Sequence, residues 1–174
     1  MRTLVLDPPP PQLVELLERR RRMGADRRDE VWEGVYHVVP SPDTAHSLIV
    51  SRLVVLLDAP AREADLRVTV EFNMGVKDDF RIPDLGIHRV TPRGVWLPTA
   101  AIAVEVLSPD DETWEKLPFY AEHEVDELLI VDPRARSVTW LALRDGEYRP
   151  ADESEIVDVS AQELADGIEW PDPA

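Results

Sequence analysis

The order of elements along this sequence predicts an α/β domain, a mixed β-sheet with helices packed against it. Three observations carry that expectation. From Ala45 onward the pattern reads helix, strand, strand, strand, helix, strand, a succession whose apolar faces close into layers. The segment Ala100–Leu107 is apolar on both parities, as a central strand covered on both faces must be. The 174 residues are 44% hydrophobic, enough for one sizeable core.

Taken in order, Pro8–Pro11 is a stiff extended lead-in. Gln12–Arg22 is a short helix with Leu13, Leu16 and Leu17 on one face, ended by Gly24 and the charged stretch after it. Val31–Trp32 and Val35–Val39 are β-like around a Glu33-Gly34 turn. Ser41 to Thr44 offer capping side chains to a helix from Ala45 to Asp58. Its stripe is Ile49, Leu53, Leu56 and Leu57, and Pro60 is expected to stop it. Leu66–Val76 alternates as one strand, with Val68, Val70 and Phe72 opposite Thr69, Glu71 and Asn73. Strands over Ile82–Val90 and Ala100–Leu107 follow, then a helix over Glu112–Glu122 and a strand over Glu127–Val131 ended by Asp132-Pro133. Ser137–Leu143 and Glu147–Arg149 form an added hairpin around Asp145-Gly146. The chain thus divides into an N-terminal extension and helix over 1–27, a main domain over 28–150, and an acidic tail over 151–174 that packs on the same domain.

Absence of cysteine removes disulfides and thiolate metal sites and fits a reducing cytosol. The longest apolar runs, Leu53–Leu57 and Leu128–Val131, are too short to cross a bilayer. The N-terminus lacks the pattern of a signal peptide. A cytoplasmic protein with no membrane partner is expected. The net charge of −16 opposes broad capture of nucleic acid, which needs Lys and Arg to neutralise phosphate. The imbalance is uneven: residues 1–28 hold seven Arg and four acids, a net +3, which leaves −19 for the rest. Arg19–Arg22 with Arg27 and Arg28 is the one concentrated basic feature, and it equally suits a helix C-terminus facing solvent. Seventeen Arg stand against only Lys77 and Lys116, and a Lys kept in such a composition points to a role that a delocalised guanidinium will not serve.

Glu105 is the most informative position. It lies in Ala101-Ile102-Ala103-Val104-Glu105-Val106-Leu107, where a buried carboxylate needs a partner or neutralises by shifting its pKa. That partner is a metal, an Arg, or Lys116. Asp84 follows Pro83, which cannot donate to a ladder, so Asp84 starts its strand or lies at a sheet edge. If that strand pairs with the Glu105 strand, both carboxylates reach one pocket and suit a hard cation such as Mg²⁺. A turn-capping role for Asp84 and a structural salt bridge for Glu105 are the plainer alternatives. Lys116, eleven residues after Glu105, begins the next helix, from which it can aim back at the strand end. Pairing with Glu112 or Tyr120 is its plainer reading. Ser108 before Pro109 has no Gly-flanked elbow and reads as a helix-entry turn.

Trp32-Glu33-Gly34, His46 with its apolar helix, Pro83-Asp84, Glu105-Val106-Leu107-Ser108-Pro109, Lys116 with Tyr120, and the Val125–Pro133 run together resemble the Uma2 family (DUF820), over about residues 28–150. That family is similar to the PD-(D/E)xK nucleases, with a restriction-endonuclease-like αβββαβ core. The resemblance implies an endonuclease hydrolysing phosphodiester bonds with Mg²⁺ or Mn²⁺, Asp84 and Glu105 as metal ligands and Lys116 as the catalytic lysine. Leu107 stands where the usual E-x-K spacing would place the lysine, and Lys116 matches a lysine moved to the following helix. Pro118 comes two residues after it, a position suited to a helix's first turn. Leu128 and Leu129 replace an aromatic pair common in the family. Glu33 and His46 are additional candidates, against plainer roles as a turn residue and a capping or half-buried histidine. The expected partner is nucleic acid, and two-strand cleavage suggests a homodimer with Trp96 or Trp140 in its contact. The competing hypothesis is a protein-binding module that keeps the fold but has little activity.

Overall fold

Pro10 is extended at φ −56° and ψ 144°, and Pro11 opens helix α1 (Pro11–Met23), which Gly24 closes at φ 64°. The computed structural model describes residues 10–108 and 112–171, so Pro8, Pro9 and Pro109 of the sequence motifs lie outside the described residues. From the last turn of α1, Arg20 donates to both carboxylate oxygens of Asp29, at 3.0 and 2.7 Å. Asp29 also accepts the Tyr36 hydroxyl at 2.8 Å and the Val39 N–H at 2.9 Å. This ties the helix to the hairpin of β1 (Glu30–Trp32) and β2 (Val35–His37).

Helix α2 (Thr44–Glu63) is capped by Asp43, whose side chain accepts the His46 N–H at 2.8 Å. It runs through Pro60 instead of stopping there. The proline removes one rung in the last turn, while Ala61 beyond it is buried in the core and holds the helix end. Among the described residues α2 is long and apolar enough to cross a bilayer, a length that the broken apolar runs concealed. Its stripe of Ile49, Leu53, Leu57 and Ala61 packs into the main core instead.

The alternating run from Leu66 to Val76 is not one strand. At Glu71 the backbone turns to φ 37°, and β3 (Arg67–Val70) and β4 (Asn73–Val76) enter different sheets. β5 (Asp79–Arg81) returns beside β4, and β6 (Leu85–His88) beside β3. Then come β7 (Trp96–Leu97), β8 (Ile102–Val106), α3 (Thr113–Glu122), β9 (Glu127–Asp132), β10 (Ser137–Arg144), β11 (Glu147–Ala151) and α4 (Ala161–Gly167). The central sheet has the order β11-β10-β9-β8-β6-β3, antiparallel except for the pair β8 and β9 that α3 connects. The second sheet has the order β2-β1-β5-β4-β7. Without β4, β5 and β7, the succession from α2 to β9 is the helix–strand–strand–strand–helix–strand core read from the sequence.

Strand parity decides what each face meets. Ile102, Val104 and Val106 face the core shared with α2 and α4, whereas Ala103 faces Phe119 and Tyr120 of α3. Glu105 has the parity of Ala103, so it points toward α3. Trp140 is 1% exposed and belongs to the core, which removes it as a contact residue. Its strand β10 is sandwiched between β9 and β11, with α4 packed over it. Trp96 rests edge-on against Phe80, ring centroids 4.8 Å apart. Gly86 in β6 leaves no room for a methyl group: a Cβ there would lie 2.7 Å from His88 Nε2 and would overlap the Phe72 ring. Gly86→Ala is therefore expected to cost about 1–3 kcal/mol, as overpacking does. Urea unfolding checks this, with a lower midpoint at an unchanged slope.

Candidate functional site

Two antiparallel neighbours bring the carboxylates together. Leu85 of β6 pairs with Val104 of β8, so Asp84, one step before β6, lies opposite Glu105. Cross-strand neighbours share a face of the sheet. Pro83 leaves the strand without a donor there, and the Asp84 side chain takes over the pairing, its Oδ2 accepting the Val106 N–H at 2.9 Å. Asp84 Oδ1 accepts from His46 Nε2 at 3.0 Å, and Arg28 Nη1 stands 3.9 Å from the same oxygen.

Lys116 comes from the first turns of α3. Its Nζ donates to Glu105 Oε1 at 3.0 Å and to Glu30 Oε1 at 3.1 Å. Tyr120, one helical turn on and so on the same side of α3, donates its hydroxyl to Glu105 Oε1. Pro118 lies in the second turn, not the first. It removes one rung, yet α3 continues and both Lys116 and Tyr120 reach Glu105. Glu30 enters from β1, accepting the Ile82 N–H and the Trp32 indole N–H, both at 2.7 Å. Behind it Trp32 stacks on His37 at 4.1 Å. His37 meets Glu112 at 3.1 Å, and the Arg81 guanidinium lies between the Trp32 and Phe119 rings, at 4.6 and 4.1 Å. This layer clamps the β1–β2 hairpin against α3.

The electrostatics follow from burial. Glu105 is 4% exposed, and desolvation pushes its carboxyl up to about 7. Lys116 pulls it down, and the charges of Asp84 and Glu30 push it further up. Burial alone would lower the Lys116 ammonium, but Glu105 and Glu30 together outweigh that and hold it above the ordinary lysine range. Burial and the same carboxylates keep Tyr120 protonated far above its usual value. For His46, burial is outweighed by the Asp84 hydrogen bond and charge, which leave its imidazole raised.

The structure therefore brings Asp84, Glu105 and Lys116 into one cluster, with His46 joined through Asp84. Glu33 stays outside it. It sits at the β1–β2 turn with φ 49°, exposed, its N–H donating to Asp79 Oδ1 at 3.0 Å. The early acid of this site is Glu30, three residues before. Sequence reasoning passed over it because the Glu-Gly turn drew attention, although Glu30 shares with Trp32 the inward parity of a short strand. Arg28, in the turn just before β1, also reaches the site, although in the sequence it reads only as part of a basic helix end.

Among the described residues no three His, Asp or Glu side chains gather as a ready-made metal cage. The pair Asp84 and Glu105 nevertheless fits a hard divalent ion that completes its shell with water. Among the described residues the side-chain donors to Glu105 meet its Oε1, and two buried carboxylates, Glu105 and Glu30, share one buried ammonium.

The Uma2 family model, described as "Putative restriction endonuclease", matches residues 11–171. Among solved structures, a putative nuclease belonging to DUF820 from Anabaena variabilis superposes with a TM-score of 0.66 at 20% identity, covering 80% of this chain and 90% of that one. No curated protein matches the chain. The fold is thus that of the restriction-endonuclease-like proteins.

Proposed function

This chain belongs to the Uma2 family, and from that premise we propose that it is a Mg²⁺- or Mn²⁺-dependent endonuclease hydrolysing phosphodiester bonds in nucleic acid. The observation that supports this best is Lys116 held between Glu105 and Glu30, with Asp84 on the neighbouring strand. In this reading Asp84 and Glu105 hold the ion, which when bound polarises the scissile phosphate and lowers the pKa of the attacking water. His46 and the Val106 N–H fix the Asp84 carboxylate from both oxygens. Lys116 is too strongly held as an ammonium to accept a proton. Its role is electrostatic, stabilising the charge that develops on the phosphorane oxygens. Tyr120 keeps its proton and holds Glu105 Oε1 toward Lys116. Cutting both strands of a duplex calls for two such sites, so the proposal includes a homodimer, read by sedimentation with and without DNA.

Adding Mg²⁺ is expected to raise the melting midpoint, because an ion that binds only the native state stabilises it, by about 2.7 kcal/mol at a hundredfold excess over Kd. Asp84→Ala should lose that shift. Plasmid, single-stranded DNA and RNA incubated with Mg²⁺ should be nicked by the native chain and left intact by Glu105→Ala. One observation favours a second reading: the −16 charge suits a protein partner better than a polyanion. A chain whose melting ignores divalent ions and which cuts no nucleic acid at any salt concentration would be the protein-binding module instead.

A further inference from the structure

β1 and its lead-in deliver two charged side chains to the site. Arg28 comes from the turn before β1, which the Asp29 N–H closes on the Asp26 carbonyl at 3.1 Å, and Glu30 from β1 itself, while Asp29 between them turns away to Arg20, Tyr36 and Val39. Glu30 reaches Lys116. Arg28 stops at the rim, its side chain 25% exposed, with Nη1 3.9 Å from Asp84 Oδ1 and Nη2 paired with Glu71. The two cations of the site differ in what they have left to give. The Lys116 ammonium is buried and spent on two carboxylates. The partner of Arg28 is a glutamate whose side chain is 44% exposed, so water can replace it at little cost. Glu71 is itself fixed by its backbone, for its N–H donates to the Asp84 carbonyl at 3.1 Å and its φ is positive. That geometry parks a carboxylate on a guanidinium at the mouth of a site formed by Asp84 and Glu105.

From this placement we propose that Arg28 binds a backbone phosphate of the nucleic-acid substrate, and that Glu71 occupies its guanidinium until substrate arrives. A planar guanidinium takes a phosphate in the same two-pronged way it takes a carboxylate. Exchange of one anion for another keeps Arg28 neutralised in both states. It also places the phosphate beside the acids, where a chain of −16 otherwise repels it. The inference deepens the nuclease reading and rests on it for the identity of the ligand.

The test separates the two. Binding of a fluorescein-labelled single-stranded DNA and of its duplex is followed by anisotropy in chelator, where nothing is cut, at several salt concentrations. Arg28→Ala should bind about tenfold or more weakly, with the slope of log affinity against log salt smaller by about 0.7–0.9. Arg28→Lys should recover part of the affinity and all of the slope. Glu71→Gln should bind more tightly than the native chain. The Mg²⁺ melting shift gives the opposite sign: with the cation near Asp84 gone, Arg28→Ala should need less Mg²⁺ for half its shift, which a folding defect would not produce. Native affinity and slope in Arg28→Ala, or no oligonucleotide binding by the native chain at low salt, would overturn the proposal. Arg28-dependent binding without any divalent-dependent cleavage would leave it intact and remove the nuclease reading alone.

Discussion

Lys116→Met is expected to abolish cleavage, lowering kcat/KM by about 10³-fold, and to destabilise the chain in a strongly pH-dependent way. The reason is the pair that Lys116 serves. Glu105 and Glu30 are both buried and meet at one ammonium, 3.0 and 3.1 Å from Nζ. A thioether of similar length fills the space but leaves two carboxylates without their cation. Breaking a buried ion pair on one side costs about 3–5 kcal/mol, so long as the remaining charge stays charged. Glu105 escapes that cost by taking a proton, and its carboxyl, already raised to about 7 by burial, loses in this variant the one charge that lowers it. A carboxyl raised in the folded state contributes stability below its unfolded value and loses it as pH climbs through the folded one. The variant should therefore lie far below the native chain at pH 8 and nearer to it at pH 5.5, where the remaining penalty is that of Glu30 alone, by urea unfolding in chelator. Equal penalties at both pH values, or activity within tenfold of native, would mean that Lys116 does not neutralise these acids.

The same cluster shows what was legible in the sequence. Glu105 could be read because β8 is apolar on both faces, and a lone carboxylate in such a run has no solvent to account for it. Asp84 could be read because Pro83 fixes where its strand begins. The αβββαβ order survived because α2, α3, β8 and β9 carry long or wholly apolar runs that fix its frame, with β3 and β6 in order between α2 and β8. The second sheet was only half legible. Its β1–β2 hairpin shows as two β-like runs around Glu33-Gly34, but β4, β5 and β7 are two to four residues long, too short for a period to show. The alternation through Leu66–Val76 continues unbroken across the corner at Glu71, because a positive φ at a non-glycine residue leaves no mark in composition. Pro60 and Pro118 misled in one way. A proline costs one backbone rung, and burial of Ala61, Phe119 and Tyr120 just beyond outweighs it. Glu30 was missed because its evidence is tertiary: only the packing of the hairpin on α3 brings it to Lys116.

Glu105→Gln is expected to separate stability from function in the opposite direction to Lys116→Met. Glutamine keeps the shape and removes the charge. Below about pH 4.5 the native carboxyl is neutral and the two chains should unfold alike. As pH rises through about 7, the native chain must ionise a buried acid, and by linkage it loses up to ~3 kcal/mol that the glutamine chain keeps. At pH 8 in chelator the variant should thus be the more stable protein, a gain trimmed by Lys116 and Tyr120 having a weaker acceptor in place of Oε1. Mg²⁺ should reverse the ranking, raising the native midpoint and leaving the variant where it was, with cleavage lost. A buried acid kept only for structure has no reason to be worse than its amide. One kept to receive a divalent ion does, because the charge that destabilises the ion-free chain is the charge the ion binds. If the variant matches the native chain at pH 8 in chelator and still rises with Mg²⁺, Glu105 is a structural partner of Lys116 and the ion is held elsewhere.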